Sequence, residues 1–117
     1  LSRAKQKGTA WETRVVQYLQ SRGFEGVERR VAFGAHDRGD INIGGLPVIL
    51  ECKNHKVFSL AEWVDETNVE KRNAAAEFGF AVFPRRNHAI GKAYALCDLE
   101  QLLNVLERIY GANGGQN

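Results

Sequence analysis

Gly39-Asp40-Ile41-Asn42-Ile43-Gly44-Gly45-Leu46-Pro47-Val48-Ile49-Leu50-Glu51-Cys52-Lys53 is the stretch on which the fold turns. Residues 40–43 alternate between the two faces of a strand, Gly44-Gly45 reverses the chain, and residues 46–53 form the strongest strand pattern in the sequence. Along that second strand Val48, Leu50 and Cys52 project to one side while Ile49, Glu51 and Lys53 project to the other. Ten residues separate Asp40 from Glu51, enough for a strand, a glycine turn and the return. The two carboxylates are therefore expected at neighbouring positions.

Working outward, residues 27–33 carry a strand pattern and 34–39 a polar turn, which completes a β-meander with the two strands above. Upstream, Thr9 followed by Glu12 has the form of a capping box, and Trp11, Val15, Val16 and Leu19 recur at helical spacing until Gly23. A first helix of about four turns is predicted there. Downstream, Ser59 with Glu62 repeats the capping pattern, and Leu60, Trp63, Val64, Thr67, Ala74 and Phe78 predict a long second helix reaching Gly79. Residues 80–83 and 93–97 form two short strands, and Asp98 caps a last helix carrying Leu99, Leu102, Leu103, Leu106 and Ile109. The order α, β, β, β, α, β, β, α predicts an α/β layer fold with a mixed central sheet between helices. No internal repeat or linker divides it, so residues 1–110 are expected to form a single domain, with 111–117 a flexible, Gly- and Asn-rich tail.

The chain has 117 residues, 44% of them hydrophobic, a size and composition that suit one core. No run approaches the ~18 apolar residues of a membrane span. Leu1-Ser2-Arg3-Ala4-Lys5 leads into charged residues in place of a signal-peptide stretch, so a soluble, cytoplasmic protein is expected (in the host cytoplasm for a phage-encoded chain). The two cysteines, Cys52 and Cys97, make no disulfide framework and are expected to be reduced. The net charge of +2 does not by itself announce a nucleic-acid binder. Its distribution says more: Arg3, Lys5 and Lys7 lead the chain, Arg29, Arg30 and Arg38 flank the turn before Asp40, and Lys56, Arg85 and Arg86 follow strands. These are candidate phosphate contacts, although basic pairs at element ends are also common as solvated surface.

The chemistry concentrates on Glu51 and Lys53, two ionisable side chains on one face of an otherwise apolar strand. Charges placed there need partners. With Asp40 they make an oxygen-rich set suited to Mg²⁺ or Mn²⁺. The plainer reading is an ordinary E-x-K surface pair, but the strand is too apolar to be an edge and the Gly-Asp-Ile-x-Ile start is correctly spaced. Glu12 has two readings that stay open: a capping acid, or an inward carboxylate on the helical face of Val15, Val16 and Leu19. Cys52-x-x-His55 with His36 or His88 lacks a second close pair for a zinc site. His36 and Asp37 are read as turn residues, and Trp63 as core in preference to a base-stacking platform.

Gly8-Thr9-Ala10-Trp11-Glu12, Gly39-Asp40-Ile41 and Glu51-Cys52-Lys53 together resemble the PD-(D/E)XK nuclease superfamily, closest to the Holliday junction resolvases of archaeal and phage type. The resemblance spans residues 7–84, with Gly39 standing where the superfamily's name has proline. It implies a restriction-endonuclease-like αβββαβ core and Mg²⁺-dependent hydrolysis of phosphodiester bonds in DNA, with Mn²⁺ able to substitute. It further implies that Asp40, Glu51 and the backbone carbonyl of Cys52 ligate the metal, that Lys53 orients or activates water and stabilises the developing anion, and that Glu12 helps to hold a metal or its water shell. From the second helix it points to Glu62, Glu66 or Lys71 without choosing among them. It implies a homodimer acting on branched or four-way DNA, the apolar faces of the second and third helices being available for the interface. The alternatives are a superfamily nuclease of flap, nicking or restriction-type specificity, and a DNA-binding module without catalysis.

Overall fold

The computed structural model describes residues 3–29 and 40–111; the side chain of Asp40 lies outside that description. Arg30, His36, Asp37 and Arg38, the expected strand beyond Arg29 and the expected tail beyond Gly111 also lie outside the described residues. Three α-helices and five strands are present among the described residues, in the order α1 (Arg3–Ser21), β1 (Val27–Arg29), β2 (Asp40–Ile43), β3 (Val48–Cys52), α2 (Leu60–Asn73), β4 (Phe78–Phe83), β5 (Tyr94–Leu96) and α3 (Leu99–Tyr110). The strands form one mixed sheet in sequence order. The meander β1-β2-β3 is antiparallel, β4 joins β3 in parallel after the α2 crossover, and β5 returns antiparallel on β4. The α/β class and the αβββαβ order are as expected from the hydrophobic periodicities.

Each sheet face is covered by a helix because β3 and β4 are apolar on both sides. On one face Trp11 and Val15 of α1 bury against Ile41 and Val82, with Leu50, Cys52 and Phe80 around them. On the other, Trp63 of α2 packs with Ala81, Phe83 and Leu96. Burying side chains of this size is worth about 1.5–3 kcal/mol each. Trp11 also satisfies its polar edge, since Nε1 donates to the Val82 carbonyl at 3.0 Å. Glycine permits two close approaches. Gly44 donates to the Gly26 carbonyl at 2.8 Å, where a Cβ on Gly44 would lie 2.9 Å from that oxygen. A Cβ on Gly79 would meet Thr67 Cγ2 at 3.1 Å, so the glycine lets α2 lie close on the sheet.

Three local expectations are corrected. The helix start expected at Thr9 lies in mid-helix, because residues 3–8 continue α1 toward the N-terminus; their Ala, Lys, Gln and Arg are good helix formers. Thr13 Oγ1 donates to the Thr9 carbonyl at 3.0 Å, a bond inside the helix and no cap. Ser59 does occupy the N-cap of α2 but makes no side-chain cap bond. Finally, α2 ends at Asn73, not near Gly79. Ala75 turns to φ 52°, and the amides of Glu77 and Phe78 donate to the Pro47 carbonyl at 2.9 and 3.0 Å, which draws Phe78 and Gly79 into β4. No helix among the described residues is long and apolar enough to cross a membrane.

Candidate functional site

The register places the expected site residues along one end of the sheet. Arg29 pairs with Ile41, Asp40 with Glu51, Glu51 with Ala81, and Phe83 with Tyr94. This is the end where the parallel strands β3 and β4 present their C-termini, the customary location of sites in α/β sheets. Direct cross-strand partners have Cβ atoms about 4.5–5.5 Å apart, so Asp40 and Glu51 occupy adjacent acidic positions.

Glu51 is 2% exposed, on the face that α2 covers. Its Oε1 lies 3.2 Å from Lys53 Nζ, as expected for residues two apart on one strand face. Lys53 also donates to Glu66 Oε2 on α2. The Lys53 backbone is anchored as well: its amide donates at 2.9 Å to the Val82 carbonyl, the same oxygen that receives the Trp11 indole. Burial works to lower the Lys53 pKa, but the hydrogen bond to Glu66 and the charges of Glu51 and Glu66 outweigh it and hold the ammonium above its ordinary value. Lys53 is thus a permanent cation near neutral pH. In that form it can donate hydrogen bonds to an anion.

Glu66 is the α2 residue that the sequence left among three. Glu62 is exposed in the first turn, and Lys71 Nζ reaches 3.5 Å toward Gln101 on α3, away from Lys53. Glu66 lies three residues after Trp63 and directly before Thr67, and both of these are buried against the sheet. That i, i+3, i+4 relationship was the signal that could have selected it.

Glu12 is half-buried on α1, beside Trp11. This helix covers the face of Leu50 and Cys52, opposite to the face of Glu51 and Lys53. Arg29 is exposed and donates to Thr13 Oγ1 on α1. Lys56, Arg85 and Arg86 are exposed in the segments that follow β3 and β4, at the same end as Lys53. Trp63 is core, 3% exposed, with His55 and Phe83 rings at 5.7 and 5.0 Å from its own. His88 Nδ1 lies 2.8 Å from the Arg86 carbonyl, and Cys52 and Cys97 are free thiols.

The donors available for a cation are carboxylates and backbone carbonyls, hard oxygen ligands that fit Mg²⁺ or Mn²⁺ and disfavour softer metals. Among the described residues no three His, Cys, Asp or Glu side chains form a metal-holding group; the Asp40 side chain is outside that set. Comparison with family models, with curated proteins and with solved structures finds no match for this chain.

Proposed function

We propose that this chain is a divalent-cation-dependent endonuclease of the PD-(D/E)XK type, hydrolysing phosphodiester bonds in DNA, with branched DNA such as a four-way junction as its substrate. The observation that carries the reading is the pairing of Asp40 with Glu51 across the β2–β3 ladder, with Lys53, directly after β3, held at 3.2 Å from Glu51. The motif resemblance supports it, and so does the exposure of Lys56, Arg85 and Arg86 at the same end of the sheet.

In this reading Asp40, Glu51 and the Cys52 carbonyl would hold the cation, with Glu12 a further candidate. The chemistry supplied by a bound Mg²⁺ is polarisation of a phosphoryl oxygen and acidification of a water. Lys53 donates to the phosphoryl oxygen on which charge develops, a contribution worth ~10²–10³ in rate for a well-placed donor. Glu66 fixes the Lys53 ammonium by hydrogen bonding and keeps it charged. Arg29, Lys56, Arg85 and Arg86, with Arg30 and Arg38, would neutralise backbone phosphates and position the duplex without reading its sequence.

The test is incubation of the purified chain with a labelled four-way junction, a flap and a linear duplex, with Mg²⁺, with Mn²⁺ and with EDTA. Paired nicks confined to the junction are expected. Cutting of all three would keep the nuclease and discard the branched specificity, and binding without cutting in any metal would leave a DNA-binding module.

A further inference from the structure

Beside β5 lies an apolar hollow of about 320 Å³, lined by Phe58, Leu60, Phe83, Tyr94, Ala95 and Leu96. Register explains why the rings gather there. Phe83 and Tyr94 are direct cross-strand partners and so project to one face of the sheet, the face that α2 covers. Their ring centroids lie 5.2 Å apart, and Phe58, from the segment that enters α2, meets Phe83 edge-on at 5.1 Å. Phe83 is buried, but Phe58 is 51% and Tyr94 43% exposed. The hollow is thus built on a buried ring with two half-exposed rings packed against it.

We propose that this hollow is a stacking site for one unpaired base of single-stranded DNA. Volume and charge select that occupant. Small-ligand sites span about 300–1,000 Å³, and the hollow stands at the lower end, the scale of a single base and not of a double helix. Each of the three rings has an exposed cation two residues away: Lys56 before Phe58, Arg85 after Phe83 and Lys92 before Tyr94. Residues 53–59, which carry Phe58, and 84–93, which join Phe83 to Tyr94, include Lys53, Lys56, Arg85, Arg86 and Lys92 and no Asp or Glu. The next acids along the chain are Glu62 and Asp98. Aromatic faces interleaved with cations suit a single strand, because every base has a face to stack and every linkage a phosphate to neutralise. In a duplex both faces of a base are already stacked, so the hollow takes a base only where pairing is broken. An apolar peptide added along β5 is a poorer match. The strand has three residues and could supply few main-chain bonds, and such a peptide would leave the cations unused.

That the occupant is DNA rests on the nuclease reading, to which the hollow adds contact with a base where the cations proposed above meet phosphates alone. Lys53 follows β3 and Tyr94 opens β5, two strand spacings across the sheet, or ~10 Å. A single strand of DNA can therefore reach both.

Fluorescence anisotropy of the full chain with a labelled oligothymidylate, in EDTA so that cleavage plays no part, tests it against an abasic oligomer of equal length. The oligothymidylate should bind about tenfold more tightly than the abasic oligomer. Phe58→Leu with Tyr94→Leu should remove that difference and keep the abasic affinity, while Tyr94→Phe retains it. Both rings are already half exposed, so circular dichroism should not change. Equal affinity for the two oligomers would overturn the proposal without any variant, and so would a base-dependent affinity that survives in the double leucine variant. Binding of an extended valine-rich peptide by a chain indifferent to the oligothymidylate would overturn it too. Base-dependent binding by a chain that cuts no DNA in Mg²⁺ would uphold the site and sink the nuclease reading; cutting without base-dependent binding would do the reverse.

Discussion

Asp40 and Glu51 are direct partners across the antiparallel ladder of β2 and β3, and Lys53 reaches back to Glu51 at 3.2 Å. Like charges placed opposite one another weaken a sheet unless something compensates them. Lys53 compensates in part, but it is shared with Glu66. On the proposed reading, a divalent cation held by these carboxylate oxygens would offset the remaining repulsion.

Magnesium should therefore stabilise the protein. The melting temperature is expected to rise with Mg²⁺ concentration, following the linkage relation that gives ~2.7 kcal/mol at a hundredfold excess over Kd. EDTA should reverse the shift, and Glu51→Gln, which keeps the side-chain shape and removes the charge, should abolish it. Differential scanning calorimetry with and without the metal measures this.

Lys53 and Glu66 should be separable in a pH profile. Lys53→Met is expected to lower the cleavage rate by ~10²–10³ at every pH. In Glu66→Gln the lysine loses one of the carboxylates that raise its pKa, so the alkaline fall in activity should begin at lower pH than in the unchanged chain. The sign for stability is that of a raised cationic group. The contribution of Lys53 is complete below its ordinary value of 10.5, is lost as pH climbs through the higher folded value, and is flat across neutrality.

Asp98 caps α3 by accepting from the Gln101 amide at 2.9 Å. That bond, followed by the one from Asn68, holds its carboxyl below the ordinary range. Asp98→Ala should cost about 0.5–2 kcal/mol in urea unfolding at neutral pH. A depressed carboxylate stabilises above its unfolded pKa and loses that effect as pH falls through the folded one. The difference between the two proteins should accordingly narrow in acid, below about pH 4.

Gln101 fills both hydrogen-bonding groups of Gly79, a residue of β4 that lies beyond the stretch paired with β5. Gln101→Leu should leave two backbone groups unsatisfied at about 1–3 kcal/mol each. Gln101→Glu can still accept from the amide but cannot donate to the carbonyl, so its unfolding free energy should fall between that of Leu and the unchanged chain.

The element order was legible because β3 and β4 are apolar on both faces while α1 and α3 keep helical spacing, patterns that the sheet and helices obey directly. The Asp40–Glu51 register was legible too, since Gly44-Gly45 leaves little freedom between two strands of known length. Boundaries were less so. Thr9 and Glu12 have the letters of a cap, but the helix formers before them extend α1, and Phe78 has helical spacing with Ala74 yet is drawn into β4 by the Pro47 carbonyl. Glu66 could have been chosen over Glu62 and Lys71 from its place between Trp63 and Thr67 on the buried side of α2, a helical spacing that the motif letters alone do not carry. The apolar stripe of α3 was legible as a helix, and its exposure was not, because periodicity gives the width of an apolar face and not the side on which it is covered.

The most direct test of the central claim is cleavage of a labelled four-way junction in Mg²⁺ by the unchanged chain beside Glu51→Gln. The account predicts paired nicks that vanish in EDTA and in Glu51→Gln, with the variant retaining its fold by circular dichroism. Cleavage of equal rate by folded Glu51→Gln, or no cleavage by the unchanged chain of any DNA in Mg²⁺ or Mn²⁺, would contradict it.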